Sequence, residues 1–440
     1  MCCKFLQNSR NFSIKKIAAI AIYAGILQLT PVIALGIGDL QGSMSNPFQS
    51  LFADTTGQTS YRSLLIPQGG RAESLGTSYT GLSNDIGFLD YNPAGSATLK
   101  QTEFSLFHNN WIADSSIDSF AWTTRLNNFG MGAGLKCFYV PFTEYDIFGE
   151  KVSSTYYSES TLTLNASYNF LSSYSFKGLS FGGNIKTSFR SMPDYSGQSG
   201  IALMADLGLL TRFNFLKFYS SREPNMRVGI AVVNIGAGIT GFGTGICLDD
   251  PLPSRIAAGL SYKVIRPLTF TFEYRKPVNL LDIKASEESC YACGVMIDAA
   301  DFISLMGGFL LQGGNPRFST GAEFMVKNIR MGATYTLDLS SSANPVNHIS
   351  VSAKLLLGDR GRQDKQDTID KLYRDGLLFY AQSAVAEDTD QAVVLLDKAM
   401  KQWQRLLRID PEFDPAIKGI NVIKEERANL KKVKEAQMLQ

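Results

Sequence analysis

The sequence predicts an all-β transmembrane barrel of about 14 antiparallel strands, followed by a small all-α domain. Three observations predict it. Apolar and polar residues alternate with period two from about Thr102 to Leu357. Several segments hold that alternation for roughly nine or ten residues, the length that crosses a bilayer on a tilt, whereas soluble strands run to about five or six. After Gly358 the period becomes helical.

The alternation is clearest in five segments. Leu162, Leu164, Ala166, Tyr168 and Phe170 share one face, with Thr161, Thr163, Asn165, Ser167 and Asn169 on the other. Leu268, Phe270, Phe272 and Tyr274 oppose Thr269, Thr271, Glu273 and Arg275. Phe318 to Lys327, Met331 to Leu339 and Ile349 to Leu357 repeat the pattern. Successive strand side chains point to opposite faces, so each segment has one oily and one wet side. The wet faces carry Glu273, Arg275, Glu323 and Lys327, which suits a polar lumen. Closure into a barrel satisfies every backbone group in lipid. Strands are expected near 102–111, 117–126, 129–140, 157–170, 178–190, 200–215, 226–237, 254–264, 267–276, 289–298, 302–312, 317–327, 329–339 and 346–357. Short links such as Lys327-Asn328-Ile329 suit periplasmic turns; Phe142–Ser154 and Gly238–Pro253 suit external loops. A charge at Phe272 or Leu164 is expected to block assembly, and one at Thr271 or Asn165 to be tolerated.

The N-terminus reads as a cleavable export signal over 1–34. Lys4, Arg10, Lys15 and Lys16 form a positive region, and Ile17 to Leu29 an apolar core too short to span a bilayer comfortably. Val32 and Ala34 place cleavage near Ala34–Leu35. Cys2 and Cys3 precede the apolar core and so cannot be a lipoprotein cysteine.

Composition narrows the function classes. A net charge of +2, with no basic cluster among aromatics, argues against a nucleic-acid binder. Two histidines, His108 and His348, give little from which to build a histidine triad or a zinc site, so neither an enzyme nor a metal or cofactor is expected. Cys290 and Cys293 form a C-x-x-C in strand surroundings, without the helix N-terminus a redox motif needs; with Cys137 and Cys247 they read as structural thiols or a disulfide. Gly236 to Gly241 matches G-x-G-x-x-G, but more glycine loop follows instead of a helix, which leaves a flexible loop or strand end.

Between signal and barrel, Gly70-Arg71-Ala72-Glu73-Ser74-Leu75-Gly76 leads through Ser83-Asn84-Asp85 to Asn92-Pro93-Ala94-Gly95. This order and spacing resemble the N-terminal signature of the FadL-like outer-membrane transport superfamily, including its PorV-like branch. The chain also resembles an uncharacterised treponemal outer-membrane family with a similar tail. The FadL resemblance implies an N-terminal lumenal hatch, here 35–101, plugging a barrel over 102–358. Its elements would be Gly70, Arg71, Ala72, Leu75, Gly76, Asp85, Asn92, Pro93 and Ala94. Gly76, Pro93 and Gly95 would turn the chain tightly; Asp85 and Asn92 would satisfy backbone donors, and Arg71 would meet a lumen carboxylate.

Asp359 to Lys365 reads as a charged linker. Three helices are expected beyond it: one through Leu372 to Val385, one through Val394 to Leu406 ending near Asp410-Pro411, and one through Ala416 to Leu430. Tyr373, Gly376, Phe379, Tyr380, Ala399, Trp403, Leu406 and Pro411 resemble one tetratricopeptide unit, although the spacing is long and a lone unit is unstable. A three-helix cap is the alternative. The 359–440 region is expected in the periplasm, where it could hold a protein partner.

The implied function is an outer-membrane transporter passing hydrophobic small molecules, long-chain fatty acids foremost, with outer-membrane lipid around it. Trp111, Trp122, Phe138 and Tyr139 would line an apolar groove or form a lipid-interface belt, and Lys186 and Arg190 would meet a carboxylate. The alternative is a closed-barrel scaffold or secretion adaptor holding protein partners through loops or tail.

Overall fold

The computed structural model describes residues 59–438 except 112–113, 173–175, 193–198, 220–222, 241–246, 249–250, 313–314, 339–346, 359, 387–388 and 412. The signal segment, with Cys2 and Cys3, lies outside the described residues.

The strands are β1 Thr102–Asn110, β2 Ser116–Leu126, β3 Phe129–Tyr145, β4 Lys151–Ser172, β5 Lys177–Ser191, β6 Gly200–Phe213, β7 Met226–Thr240, β8 Cys247–Leu248, β9 Arg255–Ile265, β10 Leu268–Pro277, β11 Cys290–Ala300, β12 Ile303–Gln312, β13 Asn315–Val326, β14 Ile329–Asp338 and β15 His348–Leu357. They form one 15-stranded antiparallel sheet. The two-residue β8 only folds back on the end of β7. The other fourteen strands close the wall, since β1 pairs with β15, β6 with β7 and β7 with β9. The expected strand number is therefore found.

The two faces divide as the alternation dictates. Leu164, Phe272, Phe318 and Ile349 face outward and stay about half exposed. Thr163, Thr271, Ser319 and Ser350 face inward and are buried. A closed barrel with an apolar outer belt and a polar interior is a transmembrane barrel.

Two expectations need correction. Phe142–Ser154 is not a loop: β3 and β4 stay paired out to Tyr145 and Lys151, and Asp146 closes the turn by accepting from Phe148 N and Glu150 N at 2.8 Å. The stretch of Thr, Ser and Tyr around Thr155 to Ser158 suits continued pairing. The charged stretch after Gly358 is helical from Arg360 on, and the i, i+4 spacing of Arg360 and Asp364 in the sequence favours a helix over a linker. Cys290 and Cys293 are free; an odd spacing puts them on opposite faces of β11, so Cys290 is buried and Cys293 exposed. Gly236 to Thr240 is the end of β7.

Inside the wall, residues 59–101 form short helical turns: a 3-10 turn at Arg62–Leu65, α1 Gly70–Ser74, α2 Phe88–Tyr91 and a 3-10 turn at Pro93–Thr98. Beyond the wall come α3 Arg360–Ala384, α4 Thr389–Ile409 and α5 Asp414–Met438. Their shared core holds Leu396, Trp403, Leu406, Phe413, Ile420 and Ile423. Tyr380 Oη donates to Glu426 at 2.7 Å and Arg427 pairs with Asp397 at 3.0 Å, tying the third helix to the other two.

Candidate functional site: the barrel interior

The inner segment touches the wall on every side. Arg71 Nε donates to Glu323 of β13 at 3.0 Å, and Asp85 pairs with Lys354 of β15. Glu273 of β10 accepts from both Tyr79 N and Thr80 N at 2.6 Å. Lys136 of β3 donates to Ile66 O at 2.6 Å and pairs with Asp90 at 3.3 Å. Asn165 of β4 donates to Pro93 O, and Asn184 of β5 to Leu89 O, both at 2.9 Å. Unpaired charges are costly away from water, so each finds an opposite charge or backbone dipole.

Each residue singled out in the sequence has a definite place here. Gly70 O accepts from Ser74 Oγ and from Thr334 Oγ1 of β14. Arg71 also approaches Asp85 at 3.8 Å. Ala72 and Leu75 pack with Tyr79, Leu82, Tyr91, Met296 and Met306. Gly76 has φ +61°, and a Cβ there would lie 2.6 Å from Phe309 N of β12. Asp85 accepts from Tyr79 Oη at 2.5 Å and Gly87 N at 2.9 Å. Asn92 caps the turn that follows: its Oδ1 accepts from Ala94 N, while its Nδ2 donates to Thr80 O and to Leu209 O of β6. Pro93 and Ala94 lie against Gly182 of β5, where a side chain would strike their backbone.

A space opens at each end of the segment. The outer one, away from the barrel's N- and C-terminal strand ends, measures about 690 Å³. Its apolar lining includes Trp111, Phe138, Val140, Tyr157, Leu310 and Ile66. Five arginines (Arg62, Arg190, Arg255, Arg275 and Arg317) and the carboxylates of Glu73, Glu159 and Glu287 share the wall. Arg190 lies over the Tyr61 ring at 5.1 Å. The floor is made by residues 59–63 and 65–67 with Glu73, Gly76 and Thr77. The inner space measures about 770 Å³ and is more polar, lined by Arg71, Glu103, Arg227, Lys263, Asp298 and Arg330 among others.

At the edge of the outer cavity, His348 Nε2 faces Glu73 Oε1 at 2.6 Å, and Ser350 Oγ donates to Glu73 Oε2 at 2.5 Å. The Trp111 ring lies 4.2 Å from the imidazole.

A family model described as an uncharacterised protein family, UPF0164, matches residues 41–360. The chain belongs to this family. A UPF0164 protein of Treponema pallidum (strain Nichols) is 31% identical over 405 residues, covering 89% of this chain and 90% of its own. Another from the same organism is 27% identical over 390 residues, covering 82% and 74%. The resemblance to a treponemal family is thus borne out. The matched span takes in the inner segment and the whole wall and stops where α3 begins. Among solved structures, the chain is similar to the toluene transporter TbuX of Ralstonia pickettii (13% identity, TM-score 0.42, covering 67% of this chain and 99% of that one). It is also similar to a Pseudomonas aeruginosa FadL homologue (9% identity, TM-score 0.41, covering 66% and 98%).

Of the other residues named from sequence, Trp111, Phe138 and Arg190 line the outer cavity. Trp122 and Tyr139 do not. Trp122 packs near Phe104 on the outer face, and Tyr139 Oη donates to Asp118. Lys186 is paired with Asp206 at 2.7 Å, which removes it as a free carboxylate receiver. Sequence reasoning missed Glu73, Asp90, Lys136 and Lys354 as partners. Glu73 lay within the quoted signature, and the other three carry charge in otherwise apolar or small-residue stretches, the one signal that pointed inward.

Proposed function

We propose that this UPF0164 protein is an outer-membrane transporter for amphipathic hydrophobic molecules, long-chain fatty acids foremost, with residues 59–101 acting as its hatch. The observation that carries this reading is the outer cavity: about 690 Å³, apolar over much of its wall, with guanidinium groups beside the apolar surface. Ligand pockets of that size with a few placed polar groups suit a small amphiphile. An acyl chain takes the Trp111–Phe138–Leu310 side, and a carboxylate head meets arginine. On the side of the barrel's terminal strand ends the links at 127–128, 173–176, 266–267, 301–302 and 327–328 are short, with 214–225 the exception; on the other side those at 278–289 and 339–347 are longer, with 313–314 the exception. Short turns suit the periplasmic side, and their excess on the side of the barrel's terminal strand ends supports a cavity mouth facing outside and helices facing the periplasm.

The test is mass spectrometry of lipids retained by refolded, delipidated protein from a mixed pool. Selective retention of long-chain acids, reduced in Phe138→Asp, supports the reading. Retention equal to that of the variant, or none, sinks it.

A second reading is a closed-barrel scaffold whose loops or helices hold protein partners. The close backbone contact between the inner segment and wall glycines such as Gly182, Gly259 and Gly308 favours it. Deleting 359–440 separates the two: uptake kept supports transport, and loss of a copurifying partner supports the scaffold.

A further inference from the structure

Arg212 and Arg227 sit directly opposite each other in the β6–β7 register. Both face the lumen: Arg212 follows the inward positions Gly208 and Leu210, and Arg227 donates to Leu82 O of the inner segment at 2.9 Å. Like charges directly opposite across a strand pair are destabilising. Arg125 of β2 also points inward, bonded to Leu99 O at 3.2 Å and Asn127 O at 2.6 Å. The fields of Arg227 and Arg125 both reach Arg212, against one carboxylate, Glu223. Glu223 is itself paired with Lys100 at 3.0 Å and is 54% exposed.

Arg212 is 8% exposed, yet its five-donor guanidinium makes one hydrogen bond among the described residues, a long one of 3.4 Å to Lys177 O. Elsewhere inside this barrel, buried cations such as Lys136, Lys186 and Lys354 meet carboxylates. At this inner end, among the described residues, no carboxylate lies within ion-pair distance of Arg212 or of Arg227, which lines the inner space.

We propose that Arg212 and Arg227, with Arg125 nearby, form an oxyanion site at the inner mouth that holds the carboxylate head of an acyl amphiphile. The proposal rests on the transport reading for its amphiphile. An oxyanion accepts from both guanidinium forks at once and cancels their repulsion. Free phosphate offers the same chemistry, so the test separates the two sources.

The experiment is calorimetric titration of the full-length protein in a nonionic detergent with sodium laurate, with inorganic phosphate, and with laurate in the presence of phosphate. Arg212→Gln should weaken laurate binding by about tenfold or more, as expected for losing a charge-assisted bond. Arg212→Glu should also lose binding while melting no lower than the parent, because it converts a repelling pair into an attracting one. Phosphate that displaces laurate supports an oxyanion site of broad choice. Phosphate without effect, with laurate still lost in Arg212→Gln, supports an amphiphile-specific site. If laurate fails to bind but phosphate binds and is lost in Arg212→Gln, the oxyanion site stands and the fatty-acid reading falls. Laurate binding equally to parent and Arg212→Gln overturns the proposal while leaving that reading intact. Arg212→Glu melting well below the parent overturns it as well, since the arginine is then structural.

Discussion

Asp85, inside the barrel, and Lys354, on its last strand, form an ion pair in which each side chain is 1% exposed. Lys354 also lies 3.4 Å from Glu323, which Arg71 holds from the other side. One network therefore fastens the inner segment to β13 and β15. Removing one partner of a buried pair leaves an uncompensated charge, so Asp85→Asn should destabilise by about 3–5 kcal/mol. Replacing both, as Asp85→Leu with Lys354→Met, should cost less than the single change. The loss of heat-resistant migration on gels measures both. A double variant weaker than Asp85→Asn would show that the pair is not a self-contained unit.

The same pair sets a pH dependence. Burial alone would lift the Asp85 carboxyl, but Lys354 and Arg71 outweigh it and hold the carboxyl well below the usual carboxylate range. A depressed carboxyl contributes stability that is complete above its unfolded pKa and lost as pH falls through its folded one. Glu103, which accepts from Ile86 N at 2.9 Å, is a second buried carboxyl that feels the Asp85 charge, so the comparison is made in a Glu103→Gln background. There the difference in melting temperature with and without Asp85→Asn should stay constant from about pH 8 to 5 and shrink only below about pH 4. A difference that shrinks between pH 7 and 5 in that background would mean the Asp85 carboxyl is not held down.

Gly307 and Gly308 are neighbours in β12 with opposite surroundings. A Cβ at Gly307 meets nothing within 4 Å, whereas one at Gly308 runs into the backbone of Leu75 and Gly76. Gly308→Ala should cost about 1–3 kcal/mol by overpacking and expose residues 59–101 to protease. Gly307→Ala should change neither. Equal behaviour of the two would remove the tight seat of the inner segment.

The wall was legible in the sequence because period two is the whole requirement for it. Leu162 to Phe170 declared its outer face, and the fourteen strands followed from such runs. The interior was less legible. Glu273, Arg275 and Glu323 were visible as wet-face charges, but which inner-segment group each meets depends on how the segment turns. Asp85 and Asn92 stood out through the resemblance; Glu73 and Asp90 are as fully engaged and did not. The long β3–β4 hairpin was missed because Thr, Ser and Tyr at Ser153 to Ser158 lack the apolar alternation, which lipid demands and water does not.

The filled interior also changes what lumen-facing substitutions should do. Leu164 faces lipid, so Leu164→Arg should cost about 2–4 kcal/mol if it lies near the midplane. Asn165, beside it, was expected to tolerate charge. Its amide instead donates to Pro93 O, Gly183 O and Asn184 Oδ1, so no water-filled lumen receives a new charge. Asn165→Asp should therefore lose about 1–3 kcal/mol by removing those donors. Folding yield into detergent micelles reads both, and full yield for Asn165→Asp would argue that the inner segment leaves room there.

Trp403 should govern the C-terminal helices. It is 3% exposed, its Nε1 donates to Tyr373 O at 3.3 Å, and side chains at Gly376 of α3 or Gly419 of α5 would press into its ring. Two glycines on different helices thus make room for one indole. Trp403→Ala should cost the helical unit about 3–5 kcal/mol by leaving a cavity. Gly376→Leu should unseat the ring and cost at least as much as a typical overpacked core, about 1–3 kcal/mol. Circular dichroism should show helical signal melting earlier in both variants, with the barrel's heat-resistant gel migration unchanged. If the barrel weakens along with the helices, the tail's stability is not its own, and its core cannot be the reason the three helices hold together.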